Sequence, residues 1–250
     1  MITRDLHTHT VFSDGANTPE DMVLSAIEKG VSVLGISDHS PTAFDPSYCL
    51  SPDQIAAYVA EIAALKETYR DRLTLLCGIE QDYFSAEPTQ SFDFIIGSVH
   101  YVKAGDTYIP VDSNAAILRE AADTYFGGDI YAFVEEYYRL VGDVVEKTHP
   151  TLIGHFDLIT KFSEQETLFD TAHPRYVAAW QAAADRLLAA NIPFEINTGA
   201  ISRGYRTTPY PAKEICSYLK ERGATLWLSS DSHAADKIGF RFDTFASWAE

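Results

Sequence analysis

The sequence predicts the α/β class, with parallel strands closed into a barrel, on three observations. Short, largely apolar runs alternate with amphipathic helical stretches along the 250 residues, as in a parallel sheet covered on both faces. Seven such runs occur, and helical patterns separate most of them, which implies repeated βα units. Histidines and acids recur at or just beyond the C-terminal ends of these runs, the edge where barrel enzymes place their chemistry.

The candidate strands are residues 4–9, 31–37, 73–80, 92–99, 151–155, 193–197 and 225–230. After the first, Thr18-Pro19-Glu20 provides an N-cap, a proline at the first helical position and an acid in the first turn, and Gly30 ends the helix. Ser51-Pro52-Asp53 repeats the device. It opens a long helix in which Ile55, Tyr58, Val59, Ile62 and Leu65 form an apolar stripe while Glu61, Lys66 and Glu67 face solvent. Helices are predicted over 113–125 and 129–147, in a segment longer than one crossover needs. That segment carries Tyr101, Lys103, Tyr108, Tyr125, Tyr131, Tyr137 and Tyr138, and Tyr101, next to His100, is expected to wall a pocket. Further helices are predicted over 173–190 and 211–222. Without repeats, low-complexity segments or linkers, residues 1–250 are expected to form a single domain.

Bulk properties exclude several function classes. With 46% hydrophobic residues the chain can bury one sizeable core. No run of eighteen apolar residues appears and the start lacks an apolar leader core, so neither a membrane span nor a secretory signal is expected, and the location expected is cytoplasmic. Cys49, Cys77 and Cys216 are odd in number and scattered, which suits a reducing compartment. A net charge of -17 repels polyanions, and Lys and Arg never cluster beyond a pair, so nucleic acid is not an expected partner. A small phosphate captured by metal remains compatible with that charge.

His7, His9, Asp14, His39, Glu80, His100, His155, Asp231 and His233 are the candidate metal ligands. Nine nitrogen and oxygen donors without a cysteine are too many for one tetrahedral zinc and suit two or three divalent ions. His7 and His9 lie two apart on one strand and so point the same way, and Asp231 and His233 repeat that spacing. Asp14, in Ser13-Asp14-Gly15, is expected to fold back over the mouth and reach a metal that His9 does not. His149 and His173, each before a proline, are expected to be structural. So many imidazoles and acids at one barrel mouth would repel one another without cations, which makes the chain a metallohydrolase.

The motifs His7-Thr8-His9, Ser13-Asp14-Gly15, Ser37-Asp38-His39, Gly78-Ile79-Glu80, Gly97-Ser98-Val99-His100, Gly154-His155-Phe156-Asp157 and Ser230-Asp231-Ser232-His233, in that order, resemble the PHP (polymerase and histidinol phosphatase) superfamily. The likeness spans the chain. Phe194-Glu195-Ile196-Asn197-Thr198-Gly199, followed by Arg203 and Arg206, further resembles its histidinol-phosphate phosphatase branch. The resemblance implies a distorted seven-stranded (β/α)7 TIM-like barrel with a trinuclear site of zinc, iron or manganese at the C-terminal mouth. By the same resemblance one ion takes His7, His9, Glu80 and Asp231, a second Glu80, His100 and His155, and a third Asp14, His39 and His233. Other members carry histidine where Asp14 stands. The implied reaction is hydrolysis of L-histidinol phosphate to L-histidinol and phosphate by a metal-activated hydroxide, with another small phosphate ester or a nucleotide as the alternative substrate. A non-catalytic metal-binding module would show eroded ligands, and all nine are intact.

Phosphate monoester hydrolysis needs an activated water, charge neutralisation on the phosphoryl oxygens and help for the leaving alkoxide. Glu80, Asp14 and His233 are expected to serve it through the ions. Asp38, beside His39, and Asp157, two after His155, are expected to orient ligand imidazoles or protonate the leaving oxygen. Arg203, Arg206, Lys161 and Tyr101 are the expected phosphate and substrate contacts, with arginine gripping phosphate as a fork and lysine as a point charge.

Overall fold

The structure, a computed structural model, describes residues 3–249. Strands β1 (Arg4–Asp5), β2 (Val33–Ile36), β3 (Thr74–Asp82), β4 (Phe94–Ser98), β7 (Leu152–Ile153), β8 (Phe194–Asn197) and β9 (Leu226–Ser229) form one sheet in chain order. Every neighbouring pair in it is parallel. Between β4 and β7 lies an antiparallel hairpin, β5 (Tyr101–Ala104) and β6 (Thr107–Pro110). The sheet curls until its ends meet. Thr8 bridges Ser232 in parallel, with His9 N–H donating to Ser232 O at 2.8 Å and Ser232 N–H to His7 O at 3.1 Å. The buried Asp5 carboxylate reinforces this closure by accepting from Ser230 N (3.1 Å) and Gly239 N (2.9 Å). The architecture is a nearly closed seven-stranded parallel barrel.

Helices α1 (Pro19–Glu28), α2 (Ile55–Tyr69), α3 (Ala115–Tyr125), α4 (Ile130–Thr148), α5 (Pro174–Leu188), α6 (Gly199–Ser202), α7 (Lys213–Glu221) and α8 (Phe242–Ala249) complete the fold. The Thr18 side chain accepts from Asp21 N and the Asp21 carboxylate closes the capping box, fixing the start of α1 by satisfying orphan amides. The predicted stripe of α2 is buried at Tyr58, Ile62 and Leu65. His173 caps α5 by accepting from Arg175 N, and His149, in the left-handed region at φ 49°, ends α4.

Two expectations change. β1 and β7 are two-residue ladders rather than the six and five residues predicted, because the backbone leaves regular pairing where it turns its side chains into the site. The hairpin β5–β6 and the short helices α6 and α8 were not foreseen. Inside the barrel, Leu6, Phe94, Ile96 and Leu152 plug the lower half. Gly78 makes room for this plug, since a Cβ there would lie 2.1 Å from the Phe94 ring. The chemistry is thereby confined to the upper half.

Candidate metal centre

Each ligand sits where a strand delivers it. β3 brings Glu80 to the middle of the mouth, buried to 1% exposure, and its two oxygens face different imidazoles. Oε2 lies 3.3 Å from His7 Nε2 and 3.7 Å from His9 Nε2. Oε1 lies 3.2 Å from His100 Nε2 and 2.9 Å from His155 Nε2. Asp231 Oδ1 joins the first set, 3.3 Å from His9 Nε2 and 3.8 Å from His7 Nε2. Asp14 gathers the remaining pair, its oxygens 3.6 Å from His39 Nε2 and 3.2 Å from His233 Nε2. All nine predicted ligands therefore converge on one mouth.

His9 departs from expectation. Its ring stacks between those of His39 (4.3 Å) and His233 (4.2 Å), and it groups with Asp14, His39 and His233 as well as with His7 and Glu80. Asp14 and His9 can thus reach the same ion. Gly15 permits this close packing through its lack of a side chain rather than an unusual φ, because a Cβ there would lie 2.5 Å from the His9 backbone.

Buried atoms in this cluster test whether cations fit. His7 Nε2 and His9 Nε2 are shielded from solvent and have no hydrogen-bond partner, and Glu80 Oε2 is met only by imidazoles, with His39 Nδ1 at 2.7 Å. Such orphans are costly unless something else satisfies them. Imidazole and carboxylate donors converging without thiolate suit zinc, iron or manganese. The residues present fit divalent ions.

Without ions, protons take their place. Burial opposes charge on His7, yet Glu195, Glu80 and Asp231 outweigh it and hold its pKa well above the ordinary value. His100 is held high in the same way by Glu80 and Asp82. His9, pressed by burial and by its neighbours His233 and His39, falls to about 3 and presents a neutral ring. Burial resists ionisation of Glu80 too, but His7, His39 and His100 keep its carboxyl well below the usual range.

Supporting contacts came from residues that adjacency in sequence did not suggest. Glu195 Oε2 accepts from His7 Nδ1 at 2.8 Å, and Asp82 Oδ2 lies 3.1 Å from His100 Nδ1. Both turn Nε2 of the ring toward the centre. A charged residue inside the apolar run 193–197 was the available signal for Glu195. Asp38 does not play this part. Its carboxylate accepts from Thr10 N and Thr10 Oγ1 (both 2.7 Å) and from Ser13, so it braces the loop that carries Asp14. Asp157 is likewise turned away, accepting from Ala212 N at 3.0 Å.

Above the cluster opens a cavity of about 250 Å³, with Arg203, Lys161 and Tyr101 on its walls. Arg203 donates to Asp231 Oδ2 (3.0 Å) and His233 Nδ1 (2.8 Å). Lys161 Nζ donates to the Asp112 carbonyl at 2.8 Å, and Tyr101 to Asp45 Oδ2 at 2.8 Å. Arg206 corrects the sequence reading. It is buried outside the cavity, donating to Thr160, stacked 4.6 Å from the Tyr210 ring and 3.7 Å from Glu164. Its role is to tie the segment after β8 to the segment after β7.

A parallel barrel with a buried imidazole and carboxylate cluster at its C-terminal mouth defines a metal-dependent hydrolase. The PHP domain family model matches residues 5–199, and the chain belongs to that family. It is 27% identical to the protein named Probable histidinol-phosphatase of Schizosaccharomyces pombe, covering 92% of this chain and 80% of that one. It is 25% identical to the Histidinol-phosphatase of Bacillus subtilis, covering 98% of each. The HisK structure from Listeria monocytogenes superposes with a TM-score of 0.83 at 22% identity, over 97% of this chain and all of that one (100%). Histidinol phosphate phosphatase from Lactococcus lactis, solved with zinc, L-histidinol and phosphate, gives 0.69 at 20% identity, over 99% of this chain and 92% of that one. The structural likenesses establish the fold. Among the described residues no helix is long and apolar enough to cross a membrane.

Proposed function

We propose that this protein hydrolyses L-histidinol phosphate to L-histidinol and inorganic phosphate, using three divalent ions, two held by the sets that share Glu80 and a third by Asp14, His39 and His233. The observation that carries the reading is the pair of partnerless buried atoms, His7 Nε2 and His9 Nε2, beside Glu80, which lines a cavity walled by Arg203 and Lys161. Relatives named histidinol-phosphatase that align over most of both chains support the substrate.

Divalent ions bound there supply Lewis acidity, neutralise phosphoryl charge and lower the pKa of water toward ~7. The protein's own side chains do the rest. Glu195 and Asp82 hold the tautomers of His7 and His100, so that Nε2 offers its lone pair inward. Arg203 brings a positive fork to the cavity, anchored by Asp231, and so adds charge complementary to a phosphate. The wall also carries Asp112, Tyr48 and Tyr205, an acidic and aromatic surround suited to the amine and imidazole of histidinol.

The test is a phosphatase panel with metal-replete protein, comparing histidinol phosphate with sugar and nucleotide monophosphates. The expected preference for histidinol phosphate is ~100-fold or more in kcat/KM, roughly 2.7 kcal/mol. A flat profile would leave a phosphoesterase of other specificity. Elemental analysis of the same sample should find close to three ions per chain, and zinc, iron or manganese reconstitution identifies which supports turnover.

A further inference from the structure

Glu80 needs a support that survives the arrival of cations. Its carboxylate is surrounded by imidazoles, and an ion bound among them claims their Nε2 lone pairs. Among the described residues, Oε1 meets His100 Nε2 at 3.2 Å, His155 Nε2 at 2.9 Å and one neutral donor, the Ser98 hydroxyl at 2.7 Å. Once a cation takes the two imidazoles, the hydroxyl is the donor that stays.

Ser98 is the last residue of β4 and pairs in register with Asp82 of β3. It is 1% exposed, so bulk water does not compete for its bond. The strand lies between β3, which carries Glu80, and β7, which leads to His155. Space for the hydroxyl comes from Gly154, because a Cβ there would lie 2.2 Å from Ser98 Oγ. A glutamate carboxylate turns readily about its last bond, so its plane is set by what it touches. Charge would serve badly here. A lysine in this place would repel the ions and an acid would repel Glu80, whereas a hydroxyl adds a directed bond and no net charge.

We propose, on the metal-ion reading above, that Ser98 is a positioning residue that holds Glu80 Oε1 toward the ion shared with His100 and His155, and that Gly154 lacks a side chain to admit that hydroxyl. The bond from Ser98 occupies one lone pair of Oε1 and leaves another for the cation. Without it the carboxylate can rotate away from the His100 and His155 side, and the ion there loses its shared oxygen. Asp82 and Glu195 orient imidazoles; Ser98 does the same for the bridging carboxylate.

The experiment titrates zinc into wild type and Ser98→Ala against a competing chelator, counting ions per chain at graded free zinc. Wild type should hold three. In the variant one ion should need ~10–100-fold more free zinc, the other two staying within ~3-fold of wild type. The melting temperature of the chelated variant should move by less than ~3 °C, because Glu80 keeps its imidazole partners there. Gly154→Ala, which retains every polar group, should displace the hydroxyl and weaken the same single ion. In the Ser98→Ala background the added methyl no longer meets that oxygen, so the double variant should bind this ion no worse than Ser98→Ala alone. Unchanged affinity in Ser98→Ala, an equal loss at all three ions, a larger fall in melting temperature or additive losses in the double variant overturns the proposal. A wild type that binds at most one ion sinks this and the metal reading together, whereas a wild type with three ions and an unaffected Ser98→Ala sinks this one alone.

Discussion

Glu195 holds Nδ1 of His7 through a 2.8 Å hydrogen bond in which neither side chain is exposed to solvent. The same carboxylate accepts from Asn197 Nδ2 at 2.9 Å, so its position is doubly fixed. Glu195→Gln keeps the shape but removes the charge that makes the His7 ring a strong ligand. Metal affinity should fall ~10–100-fold, measured by chelator competition at defined free zinc. Unchanged affinity would reduce Glu195 to a packing residue.

Glu80 serves two ligand sets with its two oxygens. Glu80→Ala should abolish turnover and lower metal content by more than one ion per chain, read by elemental analysis. Loss of rate with all ions retained would contradict the bridging role.

Arg203 and Arg206, three residues apart in sequence, should behave differently. Arg203→Ala is expected to raise KM and lower kcat, together ~100-fold or more in kcat/KM, with the ions still bound. Arg206→Ala is expected to leave kcat/KM nearly unchanged and to lower stability by about 1–3 kcal/mol, because it strips partners from buried polar groups. Steady-state kinetics beside denaturant unfolding separates the two outcomes.

Removing the ions should make stability depend on pH. In the metal-free protein His7, His39 and His100 have folded pKa values raised above the ordinary 6.5. Each contributes stability that is complete below ~6.5 and lost as pH rises through the folded value. Glu80, Asp231 and Glu195 are held low, and their contribution is present above ~4 and lost on acidification. His9, lowered to about 3, opposes the three raised histidines below 6.5 but is outnumbered. The chelated protein should therefore melt at a lower temperature at pH ~9 than at pH ~6, while the metal-loaded protein, whose imidazoles are already neutral, should not. Calorimetric scans of both forms across that range provide the check.

The barrel and its ligands were readable because parallel strands have a direct signature and because a histidine or acid ending an apolar run is conspicuous. Asp38 was misread because adjacent residues on extended chain point to opposite faces, so the neighbour of a ligand is poorly placed to support it. Asp157 was misread because the strand ends at Ile153 and the chain has already turned toward the short helical segment Leu158–Thr160. Glu195 and Asp82 reach the cluster from other strands, a relation that exists only once the barrel has closed. Arg206 was misplaced because the turn of α6, Gly199–Ser202, swings the chain so that Arg203 enters the cavity and Arg206 passes behind it. The hairpin β5–β6 left no clear trace, being a four-residue pair of strands within a segment dominated by helical periodicity.

The seam where Thr8 meets Ser232 places donors from the first and last strands of the barrel around one prospective ion. A nascent polypeptide emerging from the ribosome would present His7 and His9 well before Asp231 and His233. High-affinity cation capture thus reports that the ring has joined, and a fluorescent zinc competitor could time that event during refolding.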